Sequence, residues 1–559
     1  MRCPLRLLGF IPLIACAFTH LWNPIGFPSV YIDEAHYMRR VMQVLDGGGP
    51  QESRSVYTHP YDHPYFGQLF LASVLSMIGY PGSLNISSLT TTNATFSEVQ
   101  HLIQALYLVP RVLMGILAVV DTFLIYKICE NRYNKKVAFI ASILFAVMPM
   151  TWMFRRIYLD TLLTPFLLSS ILFASYNKTK DVSRNKNGSK NNNNVIVLLS
   201  AVFLGLAIFT KIPAIAIIPL VGFLIYTNSN RKLKILGVWF IPVILIPLIW
   251  PAYSIYLGQI NLWLKGIVYQ VERSHGCEPI CTNQSVSRAN ILNSIYPLLR
   301  LDPILLIVGA VGSIFSAIKR DFFTMLWLIP FMVFFAVVQY TDYFYIIPVI
   351  PALCIGAAKL IDYLIDKTSI NKKMVQQWKW RWRMRWQMPA LLRFIIIISG
   401  IAIFGLTSTT LLITTNVNST YFDMYASIIQ NLQFNNNNNN HDKVTMIGQS
   451  YSRTFFWIPR YVLHKDIDFV DPHFNDQIRT QKVLFIADQP LVSYISSKKT
   501  VYLKQIQRMY INSTTMGTFF DIIRYNLNQY PYTSMTENLR DLTLGKYVVL
   551  VTKIRTNYQ

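Results

Sequence analysis

Long apolar stretches alternate with short polar connections along the first three quarters of the chain. A helix needs about 20 apolar residues to cross the hydrocarbon core of a bilayer, or about 17 at the short end. Stretches of this kind lie near 7–22, 106–126, 137–154, 160–176, 195–210, 212–227, 235–253, 303–318, 322–339, 344–361 and 394–415. The pattern predicts an α-helical polytopic membrane protein with about 11 transmembrane helices.

The pattern changes after Thr415. Residues 416–559 contain a run of asparagine at 435–440 and short segments rich in β-forming residues: KVTMIG (443–448), IDFVD (467–471), KVLFIAD (482–488) and KYVVLVTKI (546–554). Strands interleaved with helical stretches predict a small α/β domain. We therefore expect a membrane domain at 1–415 and a C-terminal domain at 416–559.

The charge balance fits the same class. Only 14% of the residues are charged and 53% are hydrophobic, which nearly excludes a soluble cytosolic enzyme. The net charge of +24 could indicate nucleic acid as a partner, but the cations lie in short segments between apolar runs. Even the Trp- and Arg-rich segment 376–388 lies beside a predicted helix, where an interfacial membrane anchor is favoured. We expect membrane lipids as partners and no nucleic acid.

The cations also predict the orientation, because cytoplasmic loops are enriched in Lys and Arg. With a cytoplasmic N-terminus, the basic segments 127–136, 177–194, 228–234, 319–320 and 362–393 are cytoplasmic. The loop 23–105 and residues 416–559 are then external, as are the glycosylation sequons at Asn85, Asn93, Asn283, Asn418 and Asn512, whereas Asn177 and Asn187 are internal. We expect a location in the cell membrane, with the endoplasmic reticulum membrane as the alternative.

Charged residues gather at the external ends of the predicted helices, at one depth: Asp33, Glu34, Asp62, His63, Arg111, Arg155, Arg156, Asp160, Lys211 and Arg273. Such a group suits a reaction on an anionic lipid, since a carboxylate can take a proton from an acceptor hydroxyl while cations neutralise a departing phosphate. The alternative is a set of ordinary interfacial charges. That alternative is weaker for the adjacent acids Asp33 and Glu34, which repel each other.

Five motifs carry a resemblance to a known family: YIDEAHYMRR (31–40), DHPYFGQLFLA (62–72), RRIYLDTLLTPF (155–166), GLAIFTKIPAI (205–215) and YFYIIPVIPAL (343–353). In this order, they resemble the motifs of the glycosyltransferase C superfamily. The similar branch contains the protein O-mannosyltransferases and the lipid A aminoarabinose transferase. The resemblance implies an inverting transferase that takes its sugar from a polyprenyl- or dolichyl-phosphate donor, without a nucleotide sugar.

The same resemblance implies residue roles. Asp33 would be the general base, Glu34 would order the loop or the acceptor, and Asp160 would be a second acid at the catalytic site. The donor phosphate would be held by His63, Arg273 and Tyr345, with the cations Lys211 and Arg156 beside them. No cofactor is expected beyond the lipid-linked sugar, and a divalent metal is not expected either.

Some alternatives stay open at this point. The chain has no room for the β-trefoil insertion of eukaryotic O-mannosyltransferases and lacks the Trp-Trp-Asp-Tyr-Gly signature of oligosaccharyltransferases, so the acceptor, whether protein, glycan or lipid, is undetermined. A metal site could be drawn from Asp33, His36, His59, Asp62 and His63, but its spacing fits no standard zinc pattern. Cys277 and Cys281 could form a disulfide or remain free thiols. The alternative function is a non-catalytic polyprenyl-lipid flippase or glycan-binding scaffold.

Overall fold

The computed structural model describes two large parts of the chain. In the membrane domain it describes residues 9–51, 61–86, 94–176, 189–229, 232–274, 301–338 and 343–374, with single residues or pairs between 295 and 299 and between 399 and 416. Beyond these it describes 418–433, 444–448, 457–464, 467–470, 472, 482–487, 489–497, 500–511, 514–519 and 547–553.

The membrane domain is helical throughout its described residues. Its helices are α1 (Phe10–Leu21), α2 (Ile32–Leu45), α3 (Phe66–Met77), α4 (Phe96–Arg132), α5 (Lys135–Val147), α6 (Leu159–Tyr176), α7 (Ser189–Thr210), α8 (Ile218–Asn228), α9 (Leu233–Leu245), α10 (Ile249–Tyr256), α11 (Ile260–Ser274), α12 (Pro303–Ile318), α13 (Phe323–Val337) and α14 (Ile350–Met374). Ten of the eleven predicted stretches lie on these helices, and most of the remaining one, 394–415, lies outside the described residues.

Four helical segments of the described chain are both long and apolar enough to cross a membrane: Phe96–Arg132, Leu159–Tyr176, Leu233–Tyr256 and Phe344–Ile365. The bent pair Lys135–Val147 and Pro149–Arg155 would make a fifth, and the other apolar helices have 10–17 residues. The helical, multi-pass class is therefore confirmed. The number of eleven crossings stays a prediction.

Three short 3₁₀ segments explain why several helices are shorter than predicted. Pro149–Arg155, Ile212–Ile217 and Tyr343–Val349 interrupt stretches that the sequence predicts as continuous helices. Each contains a proline, which lacks the N–H group that an α-helix needs and clashes with the preceding turn. Irregular backbone at membrane depth is tolerated only where protein buries it or where it lines a cavity. All three breaks fall in or beside the motifs named above.

The C-terminal part combines a five-stranded sheet with helices. The strands are β1 (Val444–Gly448), β2 (Ile467–Val470), β3 (Lys482–Ala487), β4 (Thr514–Phe519) and β5 (Tyr547–Lys553), and the helices are α15 (Ser419–Gln433), α16 (Gln489–Ser496) and α17 (Val501–Ile511). The spatial order is β2-β1-β3-β5-β4. The pairs β1–β2 and β1–β3 are parallel, whereas β3–β5 and β4–β5 are antiparallel. The four segments predicted as strands are all strands, while the domain boundary at 416 stays a prediction.

The C-terminal part packs on the N-terminal half of α4. The indole N–H of Trp457 donates to the Tyr107 hydroxyl at 3.0 Å, and the Gln430 amide donates to the Ala94 carbonyl at 3.2 Å. The opposite end of α4 is Arg132. The C-terminal part therefore lies at the same end of the helix bundle as the charged residues that the sequence predicts to be external.

Asn418 belongs to a glycosylation sequon, but its side chain lies inside the protein. Its side chain is fully buried, accepts a hydrogen bond from the Val30 N–H at 2.8 Å and donates to the carbonyls of Ile25 and Pro28. An amide enclosed in this way has no room for a glycan. Asn418 is therefore not available for glycosylation in this conformation, because its side chain ties the loop after α1 to the start of α15.

The contact between α12 and α14 depends on glycine, which gives the first prediction. A Cβ atom at Gly312 would overlap the Gly356 carbonyl oxygen of the facing helix, whereas a Cβ atom at Gly237 on α9 meets nothing within 4 Å. Overpacking of this kind typically costs about 1–3 kcal/mol. We therefore expect Gly312→Ala to lower the midpoint of thermal unfolding of the detergent-solubilised protein.

Gly237→Ala is the matched control. Alanine favours an exposed helical position over glycine by up to about 1 kcal/mol, so this variant should unfold at or above the wild-type temperature. Equal midpoints for the two variants would contradict the close helix contact.

Candidate active site

The two adjacent acids at the start of α2 have different surroundings. Glu34 is fully buried, and its carboxylate forms a bidentate ion pair with Arg111 of α4, with Arg111 Nη2 to Glu34 Oε1 at 2.6 Å and Arg111 Nε to Glu34 Oε2 at 2.9 Å. The same carboxylate accepts the backbone N–H groups of Tyr31 at 2.9 Å and Ile157 at 3.2 Å. Asp33 is only half-buried. This geometry favours the loop-ordering role of Glu34 and opposes its use as a direct catalytic acid.

Arginines hold the loop between α1 and α2 in place. Arg111 donates to the carbonyls of Pro24 at 2.8 Å and Pro28 at 3.0 Å, and Arg156 donates to the carbonyl and the hydroxyl of Ser29 at 3.0 and 2.9 Å. Arg155 binds the last carbonyls of α1, which a cation at a helix C-terminus stabilises. Arg155 is thus fully buried and not an interfacial cation.

A second buried ion pair joins α6 to the break after α7. Lys211 Nζ lies 2.6 Å from Asp160 Oδ2, and both side chains are almost fully buried. The ammonium group also lies 4.3 Å from the centre of the Tyr345 ring and 5.8 Å from that of Phe344. These contacts bring together the motifs at 155–166, 205–215 and 343–353.

One cavity of about 270 Å³ opens beside this ion pair. Its polar lining consists of Asp62, His63, Lys211, Gln270 and Tyr345, and its apolar lining of Ile212, Pro213, Trp250, Ile267, Val271, Phe334, Phe335 and Val338. A cavity with apolar walls and a polar end of this kind is suited to a ligand that has a hydrocarbon part and a charged part.

Asp62 is held at the cavity by Arg40, which sequence reasoning missed. Arg40 Nη2 lies 2.6 Å from Asp62 Oδ1, and both side chains are buried. Burial alone would raise the pKa of the Asp62 carboxyl, but Arg40 together with His63 and His36 lowers this pKa below its ordinary value. Asp62 therefore carries its negative charge at neutral pH.

Tyr37 connects the acids to the cavity. It lies one helical turn after Asp33, on the same face of α2. Its pKa is raised well above the ordinary value by burial and by the negative charges of Asp33, Asp160 and Asp62, with Tyr345 adding to the effect. The negative charges of these three carboxylates, which come from three segments of the chain, therefore all act on one buried hydroxyl. The i, i+4 spacing from Asp33 was the signal that could have identified Tyr37.

The predicted site residues separate into three groups. Asp33, Asp160, His63, Lys211 and Tyr345 lie around the cavity or around Tyr37. Glu34 and Arg156 do not line the cavity: Glu34 binds Arg111 and the Ile157 N–H, and Arg156 binds Ser29 and the Tyr158 hydroxyl. The side chain of Arg273 lies outside the described residues, although Gln270 and Val271 of the same helix line the cavity.

Other sequence expectations concern metal and thiol chemistry. Within the described residues, no three His, Cys, Asp or Glu side chains form a group that could hold a metal ion. His59 of the drawn metal site lies outside those residues, as do Cys277, Cys281 and the segment 376–388.

Comparisons with known proteins give one family match and several similar folds. Residues 99–254 match the family described as dolichyl-phosphate-mannose-protein mannosyltransferase. ArnT from Cupriavidus metallidurans in the apo state aligns over 98% of this chain and 97% of its own, with a TM-score of 0.54 and 12% identity. The oligosaccharyltransferase from Archaeoglobus fulgidus in the apo form aligns over 92% of this chain and 69% of its own, with a TM-score of 0.50 and 11% identity. No curated protein sequence matches the chain.

The ion pair of Glu34 with Arg111 generates the second prediction. Removing the charge of one partner of a buried pair leaves the other uncompensated and costs about 3–5 kcal/mol. Glu34→Gln should therefore strongly lower the thermal unfolding midpoint in detergent, although the side-chain shape is retained.

Glu130→Gln is the control for this substitution. Glu130 pairs with Lys127 at 2.8 Å on the helix surface, and both side chains are about one third exposed. Surface pairs at this spacing contribute about 0.2–0.5 kcal/mol, so the control should unfold near the wild-type temperature. A Glu34→Gln protein as stable as the control would show that the pair does not hold the loop.

Proposed function

Because the chain has the glycosyltransferase C fold and its residues 99–254 match the mannosyltransferase family, we propose that it is an integral-membrane glycosyltransferase. In this proposal the protein moves a sugar from a polyprenyl- or dolichyl-phosphate donor to an acceptor hydroxyl at the external membrane face, with inversion at the anomeric carbon. The family description names dolichyl-phosphate-mannose, which supports a lipid-phosphate donor.

The observation that carries the proposal is the convergence of acids and cations around one cavity. Asp62 and Lys211 line the same cavity, Asp160 pairs with Lys211, and the charges of Asp33, Asp62 and Asp160 all act on the Tyr37 hydroxyl. Charges at membrane depth are costly and are retained mainly at functional sites. A purely structural role would require only the ion pairs and not a cavity lined by Asp62 and Lys211.

The cavity matches the two parts of the proposed donor. The apolar walls formed by Trp250, Phe334 and Phe335 suit an isoprenoid chain, whereas Lys211 and Tyr345 present a cation and a hydroxyl at one place in the lining. Cations that face a leaving phosphate stabilise its growing charge in the transition state. Asp160 keeps the Lys211 ammonium group in position through its 2.6 Å contact.

Asp33 is the proposed general base. As the acceptor oxygen attacks the anomeric carbon, Asp33 takes the hydroxyl proton. The bond from that carbon to the phosphate oxygen breaks, and its electron pair leaves with the polyprenyl phosphate. Asp33 is the half-buried member of the acid pair, whereas Glu34 is fully buried and paired with Arg111. Asp33 is thus the acid of this pair that a ligand can reach.

The alternative function, a flippase or a scaffold, needs polar groups at mid-membrane depth. Asp121 on α4 is such a group, since it is fully buried and its carboxylate has no hydrogen-bond partner among the described residues. One buried acid without a polar path beside it supports transport less well than the assembled cavity supports transfer. The variant Asp33→Asn, which tests the proposal, also tests this alternative.

Asp33→Asn keeps the shape of the side chain and removes its ability to accept the proton. A positioned base contributes roughly 10²- to 10⁴-fold to rate, so the variant should lose at least about 100-fold of transferase activity. The measurement is the release of polyprenyl phosphate from dolichyl-phosphate-mannose and related donors in membranes that contain acceptors.

Asp46→Asn is the matched control, because Asp46 lies at the other end of α2. This variant should keep wild-type activity, and both variants should keep the thermal shift caused by donor lipid. If the transferase activity of Asp33→Asn were within a few-fold of that of Asp46→Asn, the role of Asp33 as general base would be contradicted.

A further inference from the structure

A second polar cavity lies at the opposite end of the helix bundle. We call it the distal pocket. It has a volume of about 390 Å³ and is lined by Arg132, Tyr133, Ser175, Asn228, Arg320 and Asp321. Nothing in the proposed transfer reaction uses these residues.

The distance between the two sites follows from the helices that connect them. Arg111 and Arg132 lie on the same helix, α4, and at 1.5 Å per residue they are separated by about 30 Å. This is about the thickness of the hydrocarbon core of a bilayer. Likewise α6 has Asp160 in its first turn and Ser175 near its last residue. The distal pocket therefore lies at the level of the other membrane face.

Positive charge predominates in the pocket. The Asp321 carboxylate is shared by two cations, since Arg132 Nη2 lies 3.0 Å from Oδ1 and Lys359 Nζ contacts Oδ2. Burial would raise the pKa of Asp321, but Lys359 and Arg132 lower it to about 2, so the carboxylate stays ionised. Arg320 is exposed, and its side chain has no hydrogen bond or ion pair with any described residue.

Aromatic rings pack against Arg132 and Lys359, the two cations that pair with Asp321. The Arg132 guanidinium lies 4.6 Å from the centre of the Phe323 ring, and Lys359 Nζ lies 4.6 Å from that of Tyr133. Such contacts hold a cation in place without neutralising its charge. Arg132 therefore presents a preorganised donor group to the pocket, and Arg320 adds an uncommitted one.

The surroundings of the pocket are apolar and exposed. Ile318 is 74% exposed and Phe322 is 52% exposed, on either side of Arg320 and Asp321, and Tyr176 next to Ser175 is 46% exposed. Side chains of this kind at the end of a membrane helix face lipid chains. The polar pocket therefore opens beside the lipid-facing surface and not into a wide aqueous vestibule.

We propose that the distal pocket binds the phosphate of an anionic lipid headgroup from the leaflet opposite the active site. Arginine recognises phosphate through paired N–H groups, and basic pockets between transmembrane helices on the cytoplasmic side are suited to anionic headgroups. The exposed Ile318 and Phe322 contact the acyl chains of the same lipid, which favours a lipid over a free phosphate ion.

The test measures lipid binding to the full-length protein in a neutral detergent. Phosphatidylglycerol is titrated against the wild type, Arg320→Gln and Arg508→Gln, and bound lipid is counted by native mass spectrometry, with phosphatidylcholine as the neutral lipid. Arg508 on α17 is the control arginine, far along the chain from the pocket. We expect Arg320→Gln to weaken phosphatidylglycerol binding about five-fold and Arg508→Gln to leave it unchanged.

Two outcomes would overturn the proposal. Equal phosphatidylglycerol affinity for Arg320→Gln and Arg508→Gln would show that the pocket does not bind the headgroup. If inorganic phosphate displaced phosphatidylglycerol at low millimolar concentration, and its binding also weakened in Arg320→Gln, the site would be one for a free anion. The two variants should fold alike, because Arg320 has no side-chain partner among the described residues, and their thermal unfolding midpoints check this directly.

Discussion

The buried ion pair of Glu34 and Arg111 is the constraint on which the candidate site depends. It joins the start of α2 to α4, and its two members also bind the loop before α2 and the chain that leads into α6. An unpaired charge at this depth would be strongly destabilising, so the contacts form together. Glu34 is bound by Arg111, whereas its neighbour Asp33 is half-buried and its negative charge acts on Tyr37.

The second buried ion pair, between Lys211 and Asp160, holds a charged group in place at the cavity in the same way. Lys211 pairs with Asp160 and lies beside two aromatic rings, at a point where proline interrupts the helical backbone. Breaks of this kind cost hydrogen bonds, and they persist only where packing and ion pairs compensate for them. In the proposed site, the half-buried Asp33 lies on one side and the paired Lys211 on the other, which is the arrangement that the proposed displacement needs.

The apolar runs were sufficient to predict the positions of the helices, because lipid allows few other structures and demands long apolar segments. They did not reveal the 3₁₀ breaks at Pro149–Arg155 and Tyr343–Val349, which depend on tertiary packing around prolines. The motifs indicated Asp33, Asp160 and Lys211 as candidate site residues, whereas the pairing of Glu34 with Arg111 spans 77 positions and leaves no local pattern. For the same reason Asn418 resembled a glycosylation site although it is buried.

The central claim is that Asp33 and the cations of the cavity lie on opposite sides of one donor-binding site. The most direct test is a cryo-electron microscopy structure of the protein with a polyprenyl-phosphate sugar bound. The account predicts density for the phosphate within hydrogen-bond distance, about 3 Å, of Lys211 Nζ and beside His63 and Tyr345, with the sugar between the phosphate and Asp33. A phosphate bound away from Lys211, or an Asp33 carboxylate that faces lipid, would contradict it.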